Sequence, residues 1–311
     1  MHPSAAGDSD SGAVTPPQAL ASHGLAAWPA GAAILDVREA DAFARGHLPG
    51  CGHVPAAELA ERRGELPARH CELLIVADSA AIARAAAEQL AQFGYARLAW
   101  LDGAVSDPSH LAIDLGPAQR LWRPSPFLEA ILPRLGRGRA LDLAAGTGRE
   151  AATLALHGFE VEAWDHDEGA LSRARRLAAS AGVAVTTRRV DLERRSVRLP
   201  ASEFDVVTVF RFLHRPLFPR LEAALRPGGH LVYETFLEGQ SRYGRPTHAR
   251  FLLAPGELQR AFGTLEVLHY EETDPPGGPV LARLLARRPA DLKANSSSAP
   301  LGAHPAPPDL A

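Results

Sequence analysis

The stretch Arg139-Ala-Leu-Asp-Leu-Ala-Ala-Gly-Thr-Gly-Arg-Glu150 decides the fold of the larger part of this chain. Residues 140–143 are apolar except for Asp142, which predicts a short buried strand, and a helix is predicted to begin near Arg149. The turn between them consists of small residues, so its backbone N–H groups can approach a ligand closely. This strand–turn–helix unit favours a nucleotide-like ligand. The glycine spacing also fits a dinucleotide site, and small-residue turns also serve tight packing.

Length and composition limit the classes of function. The 311 residues suffice for about two domains. The net charge of −3 gives no overall basic field, so we expect no nucleic-acid partner and interpret the arginine clusters at 173–176 and 188–189 as solvated faces. Cys51 and Cys71 fit neither a disulfide framework nor a metal site, which predicts no metal and a reduced, cytoplasmic compartment. No apolar run approaches about eighteen residues, so no membrane association is predicted.

The pattern divides the chain into five segments. Residues 1–22 and 289–311 are rich in Ser, Gly, Ala and Pro without periodicity, and we predict that both are disordered tails. Apolar strand-like runs alternate with helical patterns over residues 23–104 and again over residues 120–288, with a linker at 105–119. Such alternation predicts two α/β domains, each built on a parallel sheet. The high content of arginine, alanine, glycine and proline is typical of a GC-rich bacterial genome.

The first domain carries three short motifs: Asp36-Val-Arg38, the run Phe43-Ala-Arg-Gly-His-Leu-Pro-Gly50, and Leu98-Ala-Trp-Leu-Asp-Gly103. Together they resemble the rhodanese family over nearly all of residues 23–104. The resemblance implies a nucleophilic cysteine at the start of the loop after strand 73–76, but this chain has Ala77-Asp-Ser-Ala80 there. Because only a thiolate can carry the sulfur, we predict a catalytically silent rhodanese-like domain. Sulfur transfer through Cys51 or Cys71 is the alternative.

The second domain adds further strands after the glycine turn. Runs at 159–164, 184–187, 204–210 and 231–235 predict buried strands, with helices at 169–181 and 218–225 between them. Two last strands, 264–272 and 280–286, flank the turn residues 274–278 and form a hairpin. A parallel sheet closed by a late hairpin favours an S-adenosylmethionine-dependent methyltransferase fold over a plain dinucleotide fold.

Three carboxylates follow three successive strands of this second domain. Asp142, Asp165 and Asp191 are predicted to lie at the carboxyl edge of the sheet, where ligands of open α/β sheets bind. A carboxylate at Asp142 can pair with the ammonium group of a methionine. Asp165 is placed to accept from ribose hydroxyls, and Asp191 to accept from an adenine amino group.

Four motifs, at 141–149, 164–165, 190–192 and 225–229, resemble class I methyltransferases of the tellurite-resistance type over about residues 120–288. The resemblance implies a Rossmann-like seven-stranded sheet and S-adenosyl-L-methionine as the cofactor. Carried onto this chain, it implies a cofactor site made of Asp142, Ala144, Gly146, Gly148, Asp165, Asp191, Leu192 and Phe210. Ala144 departs from the family, which usually has glycine at that position.

Methyl transfer depends mainly on in-line positioning, although some acceptors also require a base. His214 and Glu234 are the candidate catalytic residues. Alternatively, His214 caps the helix that follows, and Glu234 pairs with Arg211 or Arg215. The predicted substrate residues are Arg211, Arg215, Tyr233 and Tyr243. With Arg242 and Arg245 the arginines form a candidate site for an anionic acceptor, and residues 239–246 a candidate lid.

The leading hypothesis is therefore methyl transfer to a small-molecule acceptor, which the sequence does not name. A non-catalytic scaffold of two degenerate domains is the second hypothesis, because Ala144 and Ala77 replace the residues usual in each family. A nicotinamide enzyme leaves Asp142 and the late hairpin unexplained. The sequence predicts no oligomeric state.

Overall fold

A computed structural model describes residues 16–29, 31–105 and 112–290. The N-terminal domain is a five-stranded sheet with the order β1-β5-β4-β2-β3, in which every strand pair is parallel. Its strands are β1 (Gln18–Ala21), β2 (Ala33–Asp36), β3 (Gly52–His53), β4 (Leu73–Val76) and β5 (Leu98–Asp102). Helices α1 (Ala40–Ala44) and α2 (Ala80–Gln92) lie between them.

The central strand β4 shows why this sheet is covered on both faces. All four of its residues are apolar and completely buried. Leu73 and Ile75 pack in the cluster that contains α2, whereas Leu74 and Val76 pack with Phe43 on the other face. Side chains alternate between the faces of a strand, so a continuous apolar run is what a doubly covered parallel strand requires.

The prediction of a disordered N-terminal tail is wrong for residues 18–21, because these residues form the edge strand β1. Gln18 pairs with Ala99 and Ala21 with Asp102 of β5, in parallel register. This strand exists because β5 offers a free edge, a partner that the composition of residues 1–22 does not reveal. Most of the two predicted tails, residues 1–15 and 291–311, lies outside the described residues.

The predicted linker runs along the N-terminal domain over its described part, residues 112–119. His47 and Asp114 exchange two backbone hydrogen bonds, at 3.0 and 2.7 Å. The Gln119 amide donates to the carbonyl of Cys51 at 2.8 Å. These bonds attach the linker to the first domain before the chain enters the second.

The C-terminal domain is a seven-stranded sheet with the order β11-β12-β10-β9-β6-β7-β8. The strands are β6 (Arg139–Leu143), β7 (Glu160–Asp165), β8 (Thr186–Arg189), β9 (Phe204–Phe210), β10 (Leu225–Phe236), β11 (Glu266–Thr273) and β12 (Leu281–Arg287). The helices are α3 (Pro126–Ile131), α4 (Arg149–Leu156), α5 (Glu168–Ser180), α6 (Phe218–Ala224) and α7 (Glu257–Ala261). Strands β6 to β10 are parallel, and β12 is antiparallel between β10 and β11.

The strand order places a ligand crevice at β6. The chain moves outward from β6 to β7 and β8, then returns to β9 on the other side of β6. Such a reversal opens a crevice at the carboxyl ends of the two central strands. Leu141 and Leu143 pack into the core on one face, so Asp142 lies on the other face, which carries α3 and α4. Within the described residues, no helix combines the length and apolarity that a membrane span requires.

Candidate functional site

The loop between β6 and α4, residues 144–148, is shaped by three left-handed residues. Ala144, Gly146 and Gly148 have φ values of 55°, 54° and 78°. A Cβ on Gly148 would lie 2.5 Å from the Cβ of Ala174 in α5, so only glycine fits there, whereas a Cβ on Gly146 would meet no atom within 4 Å. The loop is therefore packed against α5 on one side and open on the other. Ala144 takes the left-handed conformation at a cost of about 1 kcal/mol, which explains why glycine is usual at this position.

Asp165, at the end of β7, holds this loop in place. Its Oδ2 accepts a hydrogen bond from the Gly146 amide at 2.9 Å. Its Oδ1 accepts from the Asp167 amide at 2.9 Å and lies 3.1 Å from Nδ1 of His166. The carboxylate is nearly buried, and each oxygen keeps a further lone pair for a hydroxyl donor.

Asp142 is the second carboxylate beside the loop. Its Oδ1 accepts from the Thr208 hydroxyl at 2.7 Å. Its Oδ2 is buried and makes no hydrogen bond of normal distance and angle among residues 16–29, 31–105 and 112–290, although the Ala151 amide lies close enough to lower the pKa of the carboxyl group somewhat. Burial, followed by the charge of Glu150, raises the pKa of Asp142 well above its ordinary value. A buried carboxylate oxygen without a donor is costly, so this site fits a ligand that brings a cationic donor.

Glu150, in the first turn of α4, belongs to the same site although its side chain was not predicted from the sequence. Its Oε1 accepts from the Ser125 amide at 3.0 Å, and burial raises its pKa. The Ser125 hydroxyl donates in turn to Oε1 of Glu234 at 3.1 Å. The only sequence signal was an acidic residue two positions after the glycine turn.

Glu234, in β10, is fully buried and is held by three donors. Besides Ser125, Nε of Arg211 donates to its Oε1 at 3.1 Å, and Nε of Arg283 donates to its Oε2 at 2.8 Å. The predicted pairing of Glu234 with Arg211 is confirmed. A carboxylate engaged by two guanidinium groups is better suited to positioning Arg211 than to accepting a proton.

Comparisons with known proteins agree with this geometry. Residues 140–229 match a family described as a methyltransferase domain, and residues 22–107 match a family described as a rhodanese-like domain. After these matches, the two domains are called the rhodanese-like domain and the methyltransferase domain. Both predicted resemblances are thereby confirmed, together with the two-domain α/β fold.

Individual relatives match the methyltransferase domain. A demethylmenaquinone methyltransferase of Clavibacter sepedonicus is 36% identical over 132 residues, which cover 40% of this chain and 51% of that protein. The probable S-adenosyl-L-methionine-dependent methyltransferase TehB of Haemophilus influenzae is 24% identical over 164 residues, 48% of this chain and 57% of that protein. The crystal structure of TehB from Haemophilus influenzae has a TM-score of 0.45 and 20% identity, covering 53% of this chain and 62% of that chain. The chain thus spans little more than half the length of these curated relatives.

Two predicted substrate residues of the methyltransferase domain are engaged by other residues of that domain instead. Tyr233 is 1% exposed, its hydroxyl donates to the Phe212 carbonyl at 2.9 Å, and its ring packs against Phe218. Its prediction is wrong because neighbours on a strand face opposite sides, and Glu234 occupies the side of the site. The guanidinium of Arg215 is bound to both carboxylate oxygens of Glu257, at 2.5 and 2.9 Å, so the prediction for this residue is also wrong.

Tyr243, the last predicted substrate residue, belongs to the candidate lid at residues 239–246. Tyr243 is 37% exposed, and the guanidinium of Arg242 lies 5.4 Å from its ring centroid. Arg242 also pairs with Asp274, which removes it from the predicted anion site. A role for Tyr243 in acceptor binding stays a prediction.

His214 precedes a short 3₁₀ helix at residues 215–217, and no side-chain hydrogen bond from it caps that helix. The capping alternative is therefore wrong. Burial lowers the pKa of His214 from its ordinary value of 6.5, while the carboxylates of Glu193 and Asp191 act in the opposite direction. A neutral imidazole near the predicted adenine side is compatible with a base, and that role stays a prediction.

The third predicted carboxylate is bonded within its own turn. Asp191 is exposed, and it accepts from the Glu193 amide at 3.1 Å and from Nε of Arg194 at 3.2 Å. Leu192 is 5% exposed and packs in the core, and Phe210 is half-buried at the end of β9. Asp142 and Asp165 thus meet beside the glycine loop, whereas the roles of Asp191, Leu192 and Phe210 toward adenine stay predictions.

In the rhodanese-like domain, the loop after β4 contains no thiol. Ser79 caps α2 by accepting from the Ile82 amide, and Asp78 lies 3.7 Å from Nη1 of Arg38. Cys51 is completely buried, with its Sγ 3.5 Å from Nδ1 of His47, and burial raises the pKa of its thiol to about 12. Neither its place nor its protonation suits a nucleophile at neutral pH.

Proposed function

We propose that the chain transfers a methyl group from S-adenosylmethionine to a small-molecule acceptor. The observation that carries this proposal is the buried, unpartnered Oδ2 of Asp142 beside a left-handed glycine loop at the strand-order reversal. A cofactor that bears an ammonium group supplies the donor that this oxygen lacks. The names of the relatives, two methyltransferases, support the same reaction.

The residues present fit this cofactor. Asp142 would hold the ammonium group, the small residues of the loop 144–148 would let the methionine part approach the backbone closely, and the remaining lone pairs of Asp165 would accept from ribose hydroxyls. When bound, the cofactor supplies an electrophilic methyl group on a sulfonium. The chain contributes binding, orientation and exclusion of water, and these terms dominate a direct displacement.

Arg211 is the residue most suited to orient the acceptor. It directly follows β9 in a left-handed conformation, with a φ of 56°, and its Nε is fixed by Glu234. Within the part of the chain that the structure describes, no acceptor binds its two terminal nitrogens. A side chain that is 42% exposed, fixed at one nitrogen and free at two suits an acceptor with a carboxylate or another planar anion.

The rhodanese-like domain is proposed to be catalytically silent. Its loop at residues 77–80 holds no thiol, and Asp78 brings a negative charge where an anionic sulfur donor would have to approach. Its contribution to the methyltransferase domain must therefore come from contact rather than from sulfur chemistry.

Isothermal titration of the full chain with S-adenosylmethionine and S-adenosylhomocysteine tests the proposal. Saturable binding of both is expected, with Asp142→Asn weakening it. The absence of saturable heat would favour the non-catalytic scaffold, for which the strained Ala144 is the specific argument. Metabolite profiling of a deletion strain against wild type then identifies the acceptor as a methylated compound that disappears.

A further inference from the structure

The two domains are in contact at the point where the glycine loop (residues 144–148) runs into α4. Arg149 is the first residue of α4 and directly follows Gly148. Its guanidinium leaves the methyltransferase domain, with Nη2 donating to the Leu66 carbonyl at 2.8 Å and Nε donating to the Gly64 carbonyl at 3.2 Å. Both acceptors belong to the rhodanese-like domain.

This contact offsets a local disadvantage of Arg149. A helix N-terminus carries a partial positive charge, so a cation in the first turn is disfavoured unless a partner lies outside the helix. The two carbonyl oxygens of residues 64 and 66 are that partner. The first turn of α4 therefore draws part of its stability from the other domain.

The segment that receives Arg149 is fixed within the rhodanese-like domain. Leu66 is completely buried, and the hydroxyl of Tyr95 donates to the Pro67 carbonyl at 3.1 Å. Arg62 pairs with Glu65 at 2.6 Å in the same turn. Because these contacts fix residues 62–67 within the rhodanese-like domain, the bonds to Arg149 can hold the glycine loop in place.

A second contact links the same two segments without any charge. A Cβ built on Gly64 would lie 3.6 Å from the Cβ of Thr147, which is the residue between Gly146 and Gly148. The rhodanese-like domain thus abuts the loop at Thr147 and is bonded to Arg149. Beside this contact, a cavity of about 340 Å³ lies between the domains and is lined in part by Arg62, Trp122 and Ala181.

We propose that the rhodanese-like domain is a structural part of the cofactor site, and that Arg149 is the positioning residue through which it acts. Asp165 holds the loop at Gly146 from inside the methyltransferase domain, and residues 64–66 hold its helix end from outside. The inference rests on the proposed function, because it takes this loop to be the cofactor-binding element. A loop that is held before the ligand arrives loses less conformational entropy on binding.

The test measures the dissociation constant of S-adenosylmethionine by calorimetry on the full chain. Arg149→Ala removes both bonds, and Gly64→Leu pushes on Thr147 from the other domain without altering the methyltransferase domain. Each is expected to weaken binding by about tenfold, the scale of moderate coupling between two sites. Arg149→Lys is expected to recover part of the loss, because it restores a charge and one bond.

Matched controls separate positioning from general destabilisation. Arg137→Ala removes an exposed arginine next to the amino end of β6 and is expected to bind within about twofold of wild type, the scatter expected at sites without coupling. Gly64→Ala adds only a Cβ at an ordinary contact distance from Thr147, so its affinity is expected to lie between those of wild type and Gly64→Leu. Amide hydrogen exchange gives an independent readout: residues 144–148 should exchange faster in Arg149→Ala and Gly64→Leu, with β6 unchanged.

The outcomes are distinguishable. If the wild-type chain does not bind S-adenosylmethionine, the proposed function fails. If the wild type binds and both Arg149→Ala and Gly64→Leu bind equally well, the inference is overturned while the proposed function stands. If Arg149→Ala does not fold, Gly64→Leu decides alone, and its unfolding midpoint in urea, compared with that of wild type, shows that it is folded.

Discussion

Replacing Asp142 by asparagine should separate ligand binding from folding. In the free protein, Oδ1 of Asp142 accepts from Thr208 and Oδ2 has no donor in the described part of the chain. Asparagine keeps an acceptor for Thr208 and removes the charge. We therefore expect the variant to lose affinity for S-adenosylmethionine without losing stability.

The size of the effect follows from the bond that is lost. A hydrogen bond to a charged group contributes about 1.5 to 3 kcal/mol, which corresponds to about 10- to 150-fold in the dissociation constant. The free energy of unfolding of Asp142→Asn, by contrast, should not fall below that of wild type. The buried carboxylate lies beside Glu150 and its pKa is raised, so its ionised form is penalised in the native state near neutral pH. Removing that penalty should leave the variant as stable as wild type or up to about 1 kcal/mol more stable.

The pH dependence has a definite sign. A carboxyl group whose folded-state pKa is raised contributes stability below its unfolded-state pKa, and this contribution is lost as the pH rises through the raised value. A cationic ligand binds the ionised carboxylate, so affinity should rise with pH across the raised pKa, and binding should release a proton. Asp142→Asn should lack this pH dependence.

Calorimetry at several pH values and in buffers of different ionisation enthalpy measures affinity and proton release, and urea unfolding measures stability. Asp205→Asn is the matched control, because Asp205 lies at the opposite edge of the sheet and accepts from the Arg139 amide and Arg226. That control should lose stability and keep its affinity. An Asp142→Asn variant that binds as tightly as wild type, or that unfolds more than about 1 kcal/mol more easily, would refute the reasoning.

Three further predictions concern other parts of the chain. Glu234→Gln should lower the free energy of unfolding by about 2 kcal/mol in urea titrations, less than for a fully buried pair because Arg211 and Arg283 are 42% and 22% exposed; an unchanged midpoint would show that the ion pairs contribute nothing. Ala144→Gly should change the same quantity by less than about 1 kcal/mol, since relief of left-handed strain is opposed by the entropy that glycine adds to the unfolded chain and by the loss of a methyl group that packs against the core. A larger loss of stability would mean that this packing outweighs the strain. The wild-type chain should release no thiocyanate from thiosulfate and cyanide, because Cys51 is buried with a pKa of about 12; release that disappears in a double Cys→Ser variant would revive the sulfurtransferase hypothesis.

The order of secondary-structure elements could be predicted because their signals are local. Apolar runs such as Leu73–Val76 and 204–210 mark buried strands, and glycine turns mark their ends. The carboxyl-edge position of Asp142 and Asp165 followed from the same pattern, since parallel strands end at one edge. Strand β1 was not predicted because an edge strand is stabilised by pairing with a neighbour, and here that neighbour, β5, is about eighty residues away in the chain.

The hydrogen-bond and ion-pair partners of the polar side chains could not be predicted from the sequence. Whether Glu234 is a base or an ion-pair partner depends on Ser125, 109 residues before it, and on Arg283, 49 residues after it. The predictions for Tyr233 and Arg215 failed for the same reason, because residue type and proximity to a strand end do not tell which side a side chain faces or what already binds it.

The sequence by itself determined two α/β domains, the glycine loop at residues 144–148, and the missing thiol of the rhodanese-like domain, because each depends on neighbouring residues and on turn chemistry. Only the tertiary structure decided that Oδ2 of Asp142 has no hydrogen-bond partner within the described residues, that Glu150 and Glu234 share Ser125, and that Arg149 reaches residues 64–66. Those facts depend on which distant segments meet. Side-chain partners are set by packing across the sheet and between domains, and no periodicity within a segment records them.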